Sequence, residues 1–213
     1  MKICVLGATG RTGKLVVGQA HERGIDVTAL VRDPARLGPT RELVNDVTPI
    51  DADDAVLTAA LAGSVALVSA LGPLRETPRG ELAGLLTRIL ESADRAGVSR
   101  VVSISAAPIS PPPAGESAAY RRVVLPAIRR VFRLQYQELA LMDAALMARP
   151  GLDWTILRPP RLTNSAAAQS YRAEIGGPAV GGRTVTRAGL AKAVLDSLAR
   201  PDWSRQIVGL AAG

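Results

Sequence analysis

The apolar run ICVL at residues 3–6 leads straight into GATGRTG, which places Gly7, Gly10 and Gly13 three residues apart. Residues 12–23 then follow helical spacing, with Leu15, Val16, Gln19 and Ala20 on one face and Gly24 as the stop. A buried strand, a glycine-rich turn and a helix in that order leave few folds open. One glycine allows the tight turn, another lets backbone N–H groups approach a bound phosphate, and the third lets helix and strand pack closely. The helix amino end then favours negative charge, so the element reads as a pyrophosphate cradle for a dinucleotide.

The rest of the chain repeats the alternation. Strand-length apolar runs occur at 26–31, 41–46, 65–71, 100–105, 154–157, 183–185 and 207–210, the last expected as an edge strand. Helical patterns fall at 51–61, 81–96, 117–147 and 188–198. The third of these contains Pro126, which splits it near Leu125. Most strands are apolar throughout, as strands covered on both faces must be. The expected fold class is α/β: a doubly wound, mostly parallel sheet of Rossmann type with helices on both faces, in one compact domain over residues 1–213. Ligands of such sheets sit beyond the carboxyl ends of the strands, so segments 106–136 and 159–182 are expected to wall a substrate pocket.

Composition narrows the function classes. The net charge of +7 is nearly all arginine, with Arg121, Arg122, Arg129, Arg130 and Arg133 crowded together. Aromatic residues make up only 3% of the chain, too few for base-stacking platforms, so a solvated helix face is expected there and no nucleic-acid partner. A single cysteine, Cys4, rules out an internal disulfide framework and suits a reducing, cytoplasmic compartment. The first residues are too short to be a secretory h-region, and no run approaches a membrane span; no membrane partner is expected. No His/Cys cluster suggests a metal, the lone His21 suits a solvated helix end, and no G-x-S-x-G elbow marks a serine hydrolase.

LGATGRTG, VRDPARL after the second strand, NDV, SALG, GLDWTILRPPRLT and the closing TVTRAGLAKAVLDSL together resemble atypical short-chain dehydrogenases/reductases. Within that superfamily they resemble the small NAD(P)H-binding group of NmrA-like and flavin reductase (biliverdin reductase B)-like proteins. The resemblance runs along nearly the whole chain and implies contacts to the cofactor from Gly7, Thr9, Gly10, Arg11, Thr12 and Gly13. It also implies that Asp46 and Val47 flank the adenine and that Ala70, Leu71 and Gly72 line the ribose side.

Arg11, Arg32 and Arg36 offer guanidinium groups to a ribose 2′-phosphate, so NADPH is expected over NADH. Asp33 either replaces them as an NAD-type carboxylate or caps the turn before Pro34. Most short-chain dehydrogenases pair a tyrosine with a lysine four residues on. Here Tyr120, Tyr136 and Tyr171 are followed at that distance by Val124, Ala140 and Ile175, and the matching segment puts Gln135 and Leu139 at the dyad positions. A flavin, quinone or conjugated carbonyl spreads the charge of an incoming hydride and needs a weaker acid. Ser105 and Tyr136 are candidate substrate contacts, with Ser105 also a candidate for the nicotinamide. Pro159 and Pro160 either orient backbone toward the carboxamide or break the strand, and Arg161 stands at the pocket mouth or on the surface. Two functions follow: an NADPH-dependent oxidoreductase of such acceptors, or a non-catalytic NAD(P)-binding regulator.

Overall fold

The computed structural model describes residues 1–165 and 170–213. Six parallel strands run in chain order: β1 (Lys2–Leu6), β2 (Asp26–Val31), β3 (Asp46–Pro49), β4 (Ala66–Ser69), β5 (Arg100–Ile104) and β6 (Asp153–Arg158). β7 (Arg161–Thr163), β8 (Tyr171–Ile175), β9 (Thr184–Thr186) and β10 (Gln206–Ala212) follow. The main sheet has the order β3-β2-β1-β4-β5-β6-β10-β8, parallel except for the antiparallel β10–β8 pair, while β7 and β9 form a separate parallel ladder. The chain reverses direction across the sheet between β1 and β4. At that point the loops after the two strands diverge and open a crevice.

Helices α1 (Arg11–Glu22) and α6 (Arg187–Asp196) cover one face. Helices α2 (Asp54–Leu61), α3 (Glu81–Arg95) and α5 (Arg133–Met147) cover the other. Two apolar layers result, one around Val5, Val16 and Val194 and the other around Leu67, Leu86 and Met142. α3 matches the expected helix closely because Leu82, Leu86, Ile89 and Leu90 recur at helical spacing and Gly97, at φ +75°, ends the chain's helical run. No helix among the described residues is long and apolar enough to cross a membrane.

Several expectations change. Leu15 is exposed; Val17 takes the core position beside Val16, Gln19 and Ala20. The third strand starts at Asp46, not Arg41, because residues 34–43 coil into 3-10 turns that pivot on Gly38 at φ +57°. The 207–210 run is internal: β10 lies between β6 and β8, so β8 is the edge. The helical stretch from Ser117 breaks twice. A π turn (Tyr120–Val124) passes into α4 (Leu125–Val131) at Pro126, and Phe132, at φ −107° and ψ 26°, separates α4 from α5. Part of the second expected pocket segment, residues 166–169, lies outside the described residues.

Candidate active site

The glycine turn has the shape of a cradle. Gly7 sits at φ +86° with Ala70 backbone atoms 3.0 Å from where a Cβ would stand. A Cβ on Gly13 would lie 2.2 Å from the Gly7 carbonyl oxygen, so the first turn of α1 lies directly on the β1 loop. Gly10 N–H donates to the Gly7 carbonyl at 3.0 Å, and no side chain among the described residues caps α1. The donors of its first turn therefore face the crevice without a side-chain partner, as an anion site at a helix start requires. A Cβ at Gly7 or Gly13 would run into this backbone, so glycine there lets the loop and the helix start pack tightly, and the free donors of that turn fit a dinucleotide pyrophosphate.

Beside the cradle runs a groove of about 150 Å³ bordered by Gly7, Thr9, Arg32, Arg36, Leu71 and Gly72. Ala70, just past the end of β4, backs Gly7, while Arg11 and Thr12 open α1. Asp33 Oδ1 accepts the Ala35 N–H at 3.0 Å, capping the turn that Pro34 opens. Arg32 Nη2 pairs with Glu81 Oε1 at 3.0 Å in an exposed bridge. Asp46 and Val47 are not brought here. The register sets them opposite Thr28 and Ala29, short of the carboxyl end of β2, and Ile50 after β3 borders the groove in their place.

Beyond β5 and β6 lies a cavity of about 690 Å³ with mainly apolar walls. Tyr120, Val124, Ile128, Phe132 and Tyr136, one residue every fourth position, form one side. Pro159, Pro160 and Arg161 form part of the other, and both expected pocket segments contribute. Phe132 and Tyr136 rings stand 5.9 Å apart at 51°. Burial pushes the Tyr136 phenol above its ordinary pKa, with the neighbouring Tyr120 adding to the effect. The two prolines do interrupt the strand, since β6 ends at Arg158 and β7 resumes at Arg161; the Pro159 carbonyl accepts the Ala107 N–H at 2.9 Å. No lysine lines the cavity among the described residues.

Ser105 is turned away from this space. Its hydroxyl donates to Asp143 Oδ2 at 2.9 Å, and the same oxygen accepts Arg158 Nη2 at 2.7 Å. Arg158 also donates to Ser110. Burial raises the Asp143 carboxyl, opposed by Arg158 and then Ser105. This knot ties the ends of β5 and β6 to α5 beneath the cavity floor, and motif reading missed it. The visible signal was an arginine directly after the buried pair Ile156-Leu157 at the end of β6. A second unforeseen clasp holds the cavity wall. Both Glu116 carboxylate oxygens accept Arg183 N–H groups at 2.7 Å, and the Arg183 guanidinium lies 3.8 Å over the Tyr120 ring.

A family model described as NAD(P)H-binding matches residues 7–201. A 3-diazoavenalumate denitrifying reductase from a Streptomyces species is 37% identical over a 133-position alignment that covers 55% of this chain and 43% of that protein. The chain thus spans less than half the length of the curated relatives it matches. Among solved structures, a Lactobacillus casei protein superposes with TM-score 0.80 at 26% identity, covering 100% of both chains. A short-chain dehydrogenase/reductase from Veillonella parvula in complex with NADP gives 0.78 at 18% identity, covering 99% of this chain and 94% of that one, a likeness of fold.

Proposed function

The chain belongs to the NAD(P)H-binding family, and from that premise we propose that it is an NADPH-dependent reductase of a flat, conjugated small molecule such as a flavin, quinone or conjugated carbonyl. One observation carries the reading: the 690 Å³ cavity beyond β5 and β6 is walled by Tyr120, Phe132 and Tyr136 and has no lysine among its described lining residues. Aromatic walls suit a planar acceptor better than a small polar alcohol.

NADPH, when bound, supplies a hydride, which is two electrons and one proton. One further proton from solvent balances the conversion of a quinone to its quinol. The chain's own groups bind and orient. Tyr136, a neutral phenol whose pKa burial raises further, donates a hydrogen bond to the acceptor oxygen on which charge develops. Arg161 at the cavity wall adds positive charge for the same oxygen. The knot under the floor fixes the ends of β5 and β6, so Ser105 acts through Asp143 and not by touching substrate.

For the cofactor, the reading is NADPH over NADH. Asp33 caps the turn, and Arg32 and Arg36 stand beside the groove. The exposed Arg32–Glu81 bridge contributes little, so a 2′-phosphate can displace Glu81 from the guanidinium. We place the reaction in the cytoplasm, on the single buried thiol of Cys4. Purified protein mixed with NADPH and a panel of FMN, riboflavin and short-chain quinones should consume nicotinamide absorbance with at least one of them. Tight NADPH binding with no turnover on any member would instead establish a regulator that binds the cofactor.

A further inference from the structure

Residues 120–136 carry more apolar surface than the cavity uses. Val124, Ile128 and Phe132 face the cavity, but the neighbouring row of Val123, Ala127 and Val131 faces solvent. Val123 is 66% exposed, Val131 68% and Leu134 53%. Val123, Ala127 and Val131 lie next to the cavity-facing row on the same segment, and Leu134 follows beyond the break at Phe132. Beside the exposed row stand Arg122 and Arg130, both exposed and with no hydrogen bond or ion pair from their guanidinium groups among the described residues, while the equally exposed Arg121 and Arg133 lie towards the Leu125 and Arg129 side of the segment. The sequence from residue 117 to residue 137 contains no acidic side chain. Arg129 differs from these four, because it donates to the Pro108 and Ser110 carbonyls and anchors the segment to the body.

We propose that this segment docks on an anionic lipid surface, with Val123, Val131 and Leu134 entering the apolar boundary and the arginines meeting headgroup phosphates. The cavity mouth then opens against the bilayer. An interfacial element needs an apolar row bordered by cations and flanked by no anions, and both conditions hold here. A second copy of the chain fits worse, since two-fold pairing would bring the same arginines face to face. A nucleic acid would leave the valine row without apolar cover. This departs from the expectation of no membrane partner, which rested on the absence of a run long enough to span a bilayer, whereas the contact proposed here is peripheral. Resting on the reductase reading, the inference extends to substrate: the acceptor is a lipophilic quinone whose ring reaches the cavity while its tail stays in the membrane.

Flotation of the full chain with vesicles of phosphatidylcholine, with and without phosphatidylglycerol, tests the docking without any cofactor. Binding to the anionic vesicles alone, weakened by salt, is expected. Arg130→Gln should lower it about fivefold and Val131→Ser by at least about fivefold, from the usual worth of one cation or one buried apolar side chain at such a surface. Both residues are exposed and line neither cavity nor groove, so turnover of a water-soluble quinone should be unchanged in both variants. Absence of binding, equal binding to neutral vesicles, or a solution dimer that both variants dissolve would overturn the proposal. Vesicle binding without turnover of any quinone would reject the reductase reading and leave the docking intact; turnover of soluble quinone without vesicle binding would do the reverse.

Discussion

Arg158 Nη2 lies 2.7 Å from Asp143 Oδ2, and their side chains are 8% and 2% exposed. A charge pair this deep holds its place only while both members are present, because removing one leaves the other uncompensated in a poorly solvated site. The pair is also incompletely satisfied, with Asp143 Oδ1 and Arg158 Nε lacking hydrogen-bond partners among the described residues. Asp143→Ala should therefore destabilise the protein by about 3–5 kcal/mol, the usual cost of orphaning a buried ion. Replacing both, as Asp143→Leu with Arg158→Met, should cost less than the single change. Urea unfolding of the single and double variants measures the difference, and a double variant as unstable as Asp143→Ala would show that the knot acts by shape and not by charge.

That knot also marks where sequence reasoning stops. The cradle was legible because its causes are local: each glycine answers a demand of the turn it occupies, and Gly13 meets the Gly7 carbonyl within the same short stretch. The amphipathic spacing of α3 and the apolar runs of β1 and β2 are local in the same sense. Asp143 and Arg158 lie on different elements, and only their packing shows that the two charges cancel. Ser105 looked like a pocket residue for the same reason: strand position fixes where a side chain starts, while its partner decides where the hydroxyl points. Asp46 and Val47 were set at the wrong end of β3 because the 3-10 turns over 34–43 use up chain that an extended reading would assign to strand. β8 was missed because YRAEI carries no apolar run, and what holds it in the sheet is the antiparallel ladder to β10.

The groove arginines lead to a test of cofactor choice. Arg32 is exposed and Arg36 borders the same groove, so neither supports the core. Arg32→Ala should weaken NADPH binding by about tenfold to a hundredfold, the range for losing a charge-assisted hydrogen bond to a phosphate, and leave NADH within about twofold. Titration of each cofactor by calorimetry gives both numbers. Equal losses for the two would mean that the 2′-phosphate does not rest on Arg32, and Arg36→Ala would then be the informative variant.

The Glu116–Arg183 clasp should make substrate affinity sensitive to acid. The Arg183 hydrogen bonds hold the Glu116 carboxyl below its ordinary 4.5, against an opposing push from burial. A carboxyl with a depressed folded-state pKa binds fewer protons in the native than in the unfolded state between the two values. Its contribution is therefore complete above pH 4.5 and is lost as pH falls through the depressed value. Protonation would free Arg183 from Glu116 and loosen its hold over the Tyr120 ring, one wall of the cavity. The KM for the acceptor should thus rise at acid pH while NADPH affinity, set at the far cradle, follows a separate profile. Glu116→Gln should raise that KM about threefold at neutral pH, a modest effect because Arg183 is partly solvated, and should abolish the acid-dependent rise. A variant whose KM still climbed in acid would place the titrating group elsewhere in the cavity wall.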